Sequence, residues 1–536
     1  YEDCIMTILD IYGIGDSLMS YQNYLKDMIL LHSSSAKEKI IGEDASVYER
    51  GFEYFFLRDD TSNNERTIIE LVSFPVSAEK IILKVCEQAL VFGMSATARL
   101  RTVIGNYDLE YLAAKLEDRF LPPIDKEPIL VKKMERSRCR YDRSRIKVSS
   151  VSSKIAGQYS NNLWNDIITA NNNRNQIINT LENYEDYDKG RYFQIAKAFY
   201  EFIRNSKVHA GLFFCNKHPK ANDETFSKGT LKFIFSVIIN ENKSLLPDGF
   251  SYDSSIFYLK GDEYNNTKGS IQDYLSKGNK AIVITTYNTV GAGQNLQYKI
   301  PVGRVTYNVS DYPDRDEMDF DFLFLQAPTH LIDVPDYSED GVSKAKAIAQ
   351  ANYLLQNGEI SEKDCKFIVS TILSFDLSKL GIANGLMRKS RSAMRYAASR
   401  IIQAVGRICR SNMKGEETII LYDENISDYI TEPLGDYGAV NVETEELIKA
   451  VSKQIKPTKK EQDFENVAIY RSHNAIKVID RLKSVWSNDH IIAYTKMRLD
   501  VLRHPTTNDL NNTSYQMYME APSPTNRYLV SYKGEF

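Results

Sequence analysis

The sequence predicts an α/β fold in which a mostly parallel sheet is flanked by helical regions. Between residues 190 and 425, apolar segments of strand length alternate with segments of helix length, and strands that alternate with helices form parallel sheets. The regions on either side have mainly helical spacing. A chain of 536 residues with 43% apolar and 26% charged residues suits two to four globular domains.

Four regions follow from these patterns. We expect residues 1–130 to belong to a first domain with a helical insertion. Residues 131–185 are basic and then rich in Ser and Asn, so they are predicted to be a linker or an insertion. Residues 186–435 are predicted to form a second domain with an insertion at about 330–390. Residues 436–536 are predicted to be a helical C-terminal accessory region.

The elements of the second domain are predicted from apolar runs for strands and from three- and four-residue spacing for helices. In order, they are helix "RYFQIAKAFYEFIRN", strand "AGLFFCN", strand or helix "LKFIFSVII", strand "SIFYLKG", helix "GSIQDYLSKG", strands "KAIVITTYN" and "FDFLFLQAPTHLI", helices over 342–410 and strand "ETIILYDEN". Upstream, residues 1–80 are predicted to be mainly helical with a strand-like "GFEYFFL". They are followed by a short buried strand in "ALVFGMSATA" (89–98) and a helix in "DLEYLAAKLEDRF".

Charge is distributed unevenly although the net charge is only −4. The stretch 132–147 has eight basic and two acidic residues, and 388–410 has seven basic residues and no acidic one. By contrast, 311–321 holds six acids and one arginine. Local fields therefore govern the binding of any polyanion. The stretch 132–147 is a candidate contact for a nucleic acid backbone, with Tyr141 available to stack a base, and a solvated linker is the alternative.

Cysteine spacing and hydropathy favour a soluble protein of the reducing cytoplasm. None of the six cysteines forms a pair at metal-ligand spacing, so the sequence predicts neither a zinc site nor a disulfide framework. No apolar run reaches the roughly 18 residues that a membrane helix needs, and the first thirty residues do not resemble a signal peptide.

The decapeptide "IIQAVGRICR" (401–410) places two arginines near each other with no acid nearby. On a continuous helix, an apolar stripe would consist of Ala397, Ile401, Ala404 and Ile408. Gln403, Arg407 and Arg410 would share another face. Two adjacent guanidiniums repel unless a polyanion such as a triphosphate lies between them. The alternative is an ordinary solvated helix face.

A glycine-containing loop follows the predicted strand "AIVIT" in "TTYNTVGAGQNLQ" (285–297). Gly291 and Gly293 allow backbone N–H groups to approach a phosphate closely, and Asn295 can bond a sugar or a base edge. The alternative is a simple strand-to-helix turn.

These segments resemble the motifs of superfamily 2 helicases. Gln-x-x-Gly-Arg-x-x-Arg resembles motif VI, the glycine loop resembles motif V, and Ser95-Ala96-Thr97 resembles motif III. "AGLFFCN" is similar to the motif IV region. The resemblance covers residues 89–425 and implies RecA-like parallel-sheet motor domains. It makes residues 1–130 the C-terminal part of the first RecA-like domain and residues 186–435 the second. The form Gly-x-Gly-x-Asn-Leu is closer to DNA translocases than to DEAD-box RNA helicases.

The resemblance also implies roles for single residues, with ATP and Mg²⁺ as cofactors. Arg407, Arg410 and Gln403 would be catalytic. Gly406, Gly293, Gln403 and Arg407 would bind the nucleotide. Ser95, Thr97, Thr286, Gly291 and Asn295 would contact nucleic acid or couple its movement to hydrolysis.

Two parts of a complete motor are missing from the sequence. It contains no Gly-Lys dipeptide, which a phosphate-binding loop requires. Two of its four Asp-Glu pairs, Asp262-Glu263 and Asp423-Glu424, follow predicted strands, but both lie after the Ser-Ala-Thr motif. We interpret Asp423 and Glu424 as the polar end of a strand. The phosphate loop and most Mg²⁺ ligands are expected elsewhere, and the start at Tyr1 favours residues that precede this sequence.

The partners expected are nucleic acid, DNA rather than RNA, and a further protein subunit. The long helical segments suggest a large bacterial helicase, such as those of Hachiman-type antiphage systems, in which a helicase pairs with a nuclease. One alternative is a motor with its own nuclease, since Pro335-Asp336 precedes Asp364-Cys365-Lys366. The other alternative is a non-catalytic scaffold that binds nucleic acid.

Overall fold

The computed structural model describes most residues between 47 and 454. The described residues are 47–60, 66–93, 97, 100–121, 128–152, 163–221, 223–261, 263–289, 295–329, 331, 341–374, 377–432, 434–438 and 440–454. The predictions for 1–46 and 455–536 therefore lie outside the described residues.

The strands and helices alternate through much of this region. The strands are β1 (Phe52–Asp60), β2 (Arg66–Phe74), β3 (Ile146–Val151), β4 (Ala210–Cys215), β5 (Ile256–Tyr258), β6 (Ala281–Thr286), β7 (Tyr298–Lys299), β8 (Tyr307–Asn308), β9 (Glu317–Met318), β10 (Phe322–Leu325), β11 (Met413–Lys414) and β12 (Thr418–Asp423). The helices are α1 (Val47–Arg50), α2 (Ala78–Cys86), α3 (Leu109–Leu116), α4 (Pro128–Arg136), α5 (Asn171–Leu181), α6 (Asp186–Arg204), α7 (Lys228–Glu241), α8 (Tyr252–Ser255), α9 (Tyr264–Ser276), α10 (Gly341–Gln356), α11 (Glu362–Ser374), α12 (Leu377–Arg388), α13 (Arg391–Val405) and α14 (Val442–Gln454).

Six of these strands form one sheet in the order β3-β12-β10-β4-β6-β5, and every neighbouring pair is parallel. From β4 the chain crosses to β5 and returns to β6, whereas from β10 it crosses in the opposite direction to β12. The point between β4 and β10 is therefore a topological switch point, the place where open parallel sheets commonly bind ligands beyond the carboxyl ends of their strands. We call that edge of the sheet the carboxyl edge.

Helices cover both faces of the sheet. All six residues of β4 and of β6 are buried, as expected for central strands with two covered faces. Helices α9, α13 and α14 pack on one face, and α5, α6 and α7 pack on the other. The predicted α/β fold with a parallel sheet and flanking helices is thus confirmed, and the arrangement is consistent with a RecA-like fold.

A separate core joins the N-terminal segment to the inserted helices. The antiparallel hairpin β1–β2, the segment before α3 and helices α10 to α12 bury side chains together, among them Val72, Ile104, Ile348 and Ile368. The backbone N–H of Val103 also donates to Ser392 Oγ at 3.1 Å. Residues 1–130 and the insertion at 330–390 are predicted to belong to different domains, whereas the structure gives them this shared core.

Three further expectations differ from the structure. Leu90, Val91 and Phe92 are exposed and form no strand, so the short buried strand predicted at the start of 89–98 is wrong. The predicted linker 131–185 contributes β3, which pairs with β12 at one end of the sheet. Helix α14 packs in the sheet core, so that core continues past the predicted boundary at 435. Within the described residues, no helix is long and apolar enough to cross a membrane.

Candidate nucleotide and nucleic acid site

The arginine segment lies at the end of α13. Ser390 caps the start of this helix by accepting from the backbone N–H of Ala393 at 3.2 Å. The helix ends at Val405, and the chain tightens into a single turn of 3₁₀-helix over Gly406–Ile408. Because the α-helix does not continue to Arg410, the predicted helical face that carries both arginines is wrong. A turn and its following residues present them instead.

Arg407 and Arg410 nevertheless lie close enough to influence each other electrostatically. Arg407 is 2% exposed, whereas Arg410 is exposed. Burial, and then the charge of Arg410, lower the pKa of Arg407 below its usual value. Two such guanidiniums favour the binding of an anion between them.

Tyr264, the first residue of α9, is a neighbour that the sequence analysis missed. Its side chain is 6% exposed, and its hydroxyl forms no hydrogen bond within the described part of the chain. Burial raises the pKa of this phenol, and the positive charge of Arg407 opposes that shift. A buried hydroxyl in the field of Arg407 is a further donor for an anion.

A buried ion-pair cluster anchors the chain directly after Arg407. Lys414 Nζ donates to the carbonyl oxygen of Ile408 at 2.5 Å and lies 2.9 Å from carboxylate oxygens of both Asp319 and Glu443. Burial disfavours the charged ammonium, but the two carboxylates outweigh it and hold the pKa of Lys414 well above its usual value. Asp319 also accepts from the backbone N–H of Ser411 at 2.7 Å. The arginine segment is therefore fixed at its C-terminal side.

The structure brings together the segments that resemble motifs III and VI. Gln403 Nε2 donates to Thr97 Oγ1 at 3.4 Å, and Arg400 Nη1 donates to Gln403 Oε1 at 3.4 Å. The chain after Thr97 continues along α13, where Thr102 Oγ1 donates to the carbonyl oxygen of Ser392 at 3.0 Å. Ser95 lies outside the described residues.

Gly105 lies where the segment after Thr97 packs closely against α13. Its φ of +69° is a left-handed conformation, and an added Cβ would overlap the ring of Tyr396 on α13. We expect Gly105→Ala to lower the free energy of unfolding by about 2–4 kcal/mol, since it adds overpacking to backbone strain. Gly249 has a similar φ of +81° with nothing within 4 Å, so Gly249→Ala should cost only about 1–2 kcal/mol. Urea unfolding measures the free energy of unfolding of both variants. Equal losses would contradict the close packing of Gly105 against Tyr396.

The segment that resembles motif V begins at the carboxyl edge. Thr286 ends β6 with 9% exposure, and its Oγ1 lies 2.9 Å from Thr289 Oγ1. Thr289 Oγ1 in turn lies 3.3 Å from His218 Nε2, beyond the end of β4. Asn295 is exposed. Gly291 and Gly293 lie outside the described residues, so their predicted role is not tested.

The basic stretch 132–147 mainly forms ion pairs within the protein. Arg138 and Arg143 pair with α14, where Arg143 contacts Glu445 and Glu446 at 2.5 Å each. Arg140 lies 3.2 Å from Asp311. Tyr141 donates its hydroxyl to Glu443 at 2.5 Å and packs on the sheet core. The proposed base stacking by Tyr141 is therefore wrong.

Part of the acidic segment 311–321 pairs with cationic side chains inside the protein. Asp321 is 2% exposed and accepts from Arg304 at 2.8 Å and from the backbone N–H groups of His209 and Ala210 at 2.9 Å. These bonds stabilise the first turn into β4. Asp319 is buried as well, so these two acids of the segment belong to the protein interior.

Glu417 joins the basic stretch to the sheet. Its Oε1 lies 2.8 Å from both Lys147 Nζ and Lys207 Nζ, and its Oε2 accepts from Asn205 at 3.2 Å. Burial alone raises the pKa of this carboxyl, but these hydrogen bonds outweigh it and lower the pKa to about 2. The carboxylate thus stabilises the fold above its unfolded pKa of about 4.3.

That stabilisation is lost as the pH falls from about 4.5 to 2. We expect the wild type to lose about 1–3 kcal/mol more unfolding free energy between pH 5 and pH 2 than Glu417→Gln does. Glu416→Gln, at the neighbouring position, should retain the wild-type pH profile. Urea unfolding at several pH values measures the difference, and parallel profiles for wild type and Glu417→Gln would contradict the assignment.

Other carboxylates proposed for chemistry have structural roles. Asp364 Oδ2 accepts from Ser361 Oγ at 2.7 Å at the start of α11, and Lys366 pairs with Glu362 at 2.5 Å. The proposed nuclease group therefore gains no support from this pair, and Pro335 and Asp336 lie outside the described residues. Asp423 is the last residue of β12 and accepts from the backbone N–H of Ala327 at 3.2 Å. This confirms the interpretation of Asp423 as the polar end of a strand.

The strongest local arrangement is thus a parallel sheet with the buried Arg407 and the exposed Arg410 near each other, while Gln403 of the preceding helix contacts the remote Thr97. Comparisons with known proteins add no assignment. No family model matches this sequence, and no curated protein shows significant similarity to it.

Proposed function

We propose that this chain is the second motor domain, with part of the first, of an ATP-dependent helicase or translocase of superfamily 2 that acts on DNA. The observation that carries the proposal is the bond between Gln403 and Thr97, which are 306 positions apart in sequence. It joins the two segments that would couple ATP hydrolysis to movement. The parallel sheet and the adjacent Arg407 and Arg410 add support.

In this proposal, ATP binds between this chain and a lobe that carries the phosphate loop. Arg407 and Arg410 neutralise charge on the transferred phosphoryl group, as arginine fingers do. Gln403 contacts the nucleotide or the attacking water. Mg²⁺ would further neutralise the phosphates when bound, and we assign its ligands to the other lobe because Asp423 is engaged in the sheet.

Movement follows from closure and reopening of the cleft. Since Gln403 contacts Thr97, a shift of the arginine segment on phosphate release is transmitted to the Ser-Ala-Thr segment. The loop after Thr286 holds the DNA strand at the carboxyl edge, where Thr289 and His218 also lie.

The proposal is tested with the full-length product of the native gene. We expect it to contain a phosphate-binding loop, and we expect single-stranded DNA to stimulate its ATP hydrolysis. Phosphate release with and without DNA measures this, and the 536-residue chain by itself should release none above background. The absence of DNA stimulation in the full-length product would refute the proposal.

A further inference from the structure

Tyr187 lies over the topological switch point of the sheet. It is the second residue of α6, and its hydroxyl lies 3.0 Å from Thr329 Oγ1. The same hydroxyl accepts a hydrogen bond from Asn216 Nδ2 at 3.2 Å. Asn216 directly follows β4 and Thr329 follows β10, which are the two strands between which the switch point lies. The ring is therefore fixed where an open parallel sheet presents its ligand crevice.

A buried arginine packs against the ring of Tyr187. The guanidinium carbon of Arg191 lies 4.9 Å from the ring centre of Tyr187 and 5.2 Å from that of Phe226. Arg191 is itself 3% exposed and lies 3.2 Å from Asp188. Tyr187, by contrast, keeps 47% of its surface exposed. A half-exposed ring that is already held in place loses little conformational entropy when a ligand stacks on it.

The surroundings fit a flat, polar-edged ligand. Polar atoms rather than an apolar patch border the ring: Asn216 Nδ2 donates to Tyr187, to Thr329 Oγ1 at 3.2 Å and to the carbonyl oxygen of Ala327 at 2.6 Å. Asp186 and Asp188, the two acids that flank Tyr187, pair with Lys189 at 3.6 Å and with Arg191 at 3.2 Å. Their repulsion of a phosphate backbone is therefore reduced.

We propose that Tyr187 is a stacking platform for a base of single-stranded nucleic acid at the switch point between β4 and β10. Aromatic stacking tolerates any base because every base has a π-face. Stacking on Tyr187 binds the strand through a base and does not depend on contacts to its phosphates. This inference rests on the proposed function, because it names how the same carboxyl edge holds its substrate.

The test compares a single-stranded DNA of about 12 nucleotides, labelled with 2-aminopurine, with a strand of the same length that carries only abasic sugars. Binding of the 536-residue chain is measured by fluorescence anisotropy and by 2-aminopurine quenching. Tyr187→Ala should weaken binding of the intact strand by about 5- to 150-fold, the range for loss of one stacked base. Tyr187→Phe, which keeps the ring, should bind within about threefold of the wild type.

Abasic DNA separates stacking from a structural role. The wild type and Tyr187→Ala should bind it equally weakly, and Tyr107→Ala, at a tyrosine of 44% exposure, should resemble the wild type on both strands. The stacking role of Tyr187 would be overturned if wild type and Tyr187→Ala bound intact DNA equally well. It would also be overturned if Tyr187→Ala weakened binding of abasic DNA as much as binding of intact DNA. Neither result would contradict the proposed function. Failure of the wild type to bind any single strand would overturn the proposed function together with the stacking role.

Discussion

Arg407→Ala is expected to reduce DNA-stimulated ATP turnover of the full-length product by about 10³-fold or more, the range for loss of an arginine finger. Arg407 is 2% exposed and lies in the field of Arg410, and in the proposed mechanism its removal takes away a cation that neutralises charge on the transferred phosphoryl group. DNA binding should stay within about threefold of the wild type, because the proposed DNA contacts lie at the carboxyl edge. Phosphate release and DNA anisotropy measure the two properties separately.

Two further variants make this result specific. Arg407→Lys keeps the charge but not the planar fork, so it should restore little of the activity. Arg204→Ala removes an arginine of 52% side-chain exposure from α6 and should leave turnover unchanged. Should Arg407→Ala and Arg407→Lys reduce DNA binding as strongly as turnover, the arginine segment would hold the DNA rather than the nucleotide.

Lys414→Met is expected to lower the free energy of unfolding by about 3–5 kcal/mol. The ammonium is 4% exposed and neutralises Asp319 and Glu443, whose carboxylates are 1% and 2% exposed. Its removal leaves two buried carboxylates without their shared cation. Urea unfolding monitored by circular dichroism measures the loss.

An exposed lysine provides the matched control. Lys449 pairs with Glu446 at 2.9 Å with 44% side-chain exposure, so Lys449→Met should cost less than about 1 kcal/mol. Adding Asp319→Asn and Glu443→Gln to Lys414→Met should recover part of the stability, because the buried charges are removed together. If Lys414→Met were as stable as Lys449→Met, Lys414 would not be the residue that stabilises the buried ion-pair cluster.

The sequence predicts the sheet well where strands are covered on both faces. The runs "AGLFFC" and "AIVITT" form the central strands β4 and β6, since a buried parallel strand needs continuous apolar residues. The same criterion fails at Leu90, Val91 and Phe92, which are apolar but exposed. An apolar run by itself does not reveal whether a second layer covers it.

The site is predicted less completely, because its decisive contacts are remote in sequence. Counting at 100° per residue assumes that α13 continues, whereas it ends at Val405 before both arginines. Arg138 and Arg143 of the basic stretch pair with Glu445 and Glu446, about 300 positions away. Local composition carries no signal for such pairs, and the same holds for the contacts of Lys414 and of Thr97.

The core shared by the N-terminal hairpin and helices α10 to α12 sets an order for folding during synthesis. Val103 bonds to Ser392, which leaves the ribosome 289 residues later. At about 5–20 residues per second, the N-terminal segment waits roughly 15–60 s for its partner. During that interval Val72 and Ile104, which are buried in the finished protein, face water or a chaperone. Nascent chains arrested before residue 390 should therefore be the species most prone to aggregation.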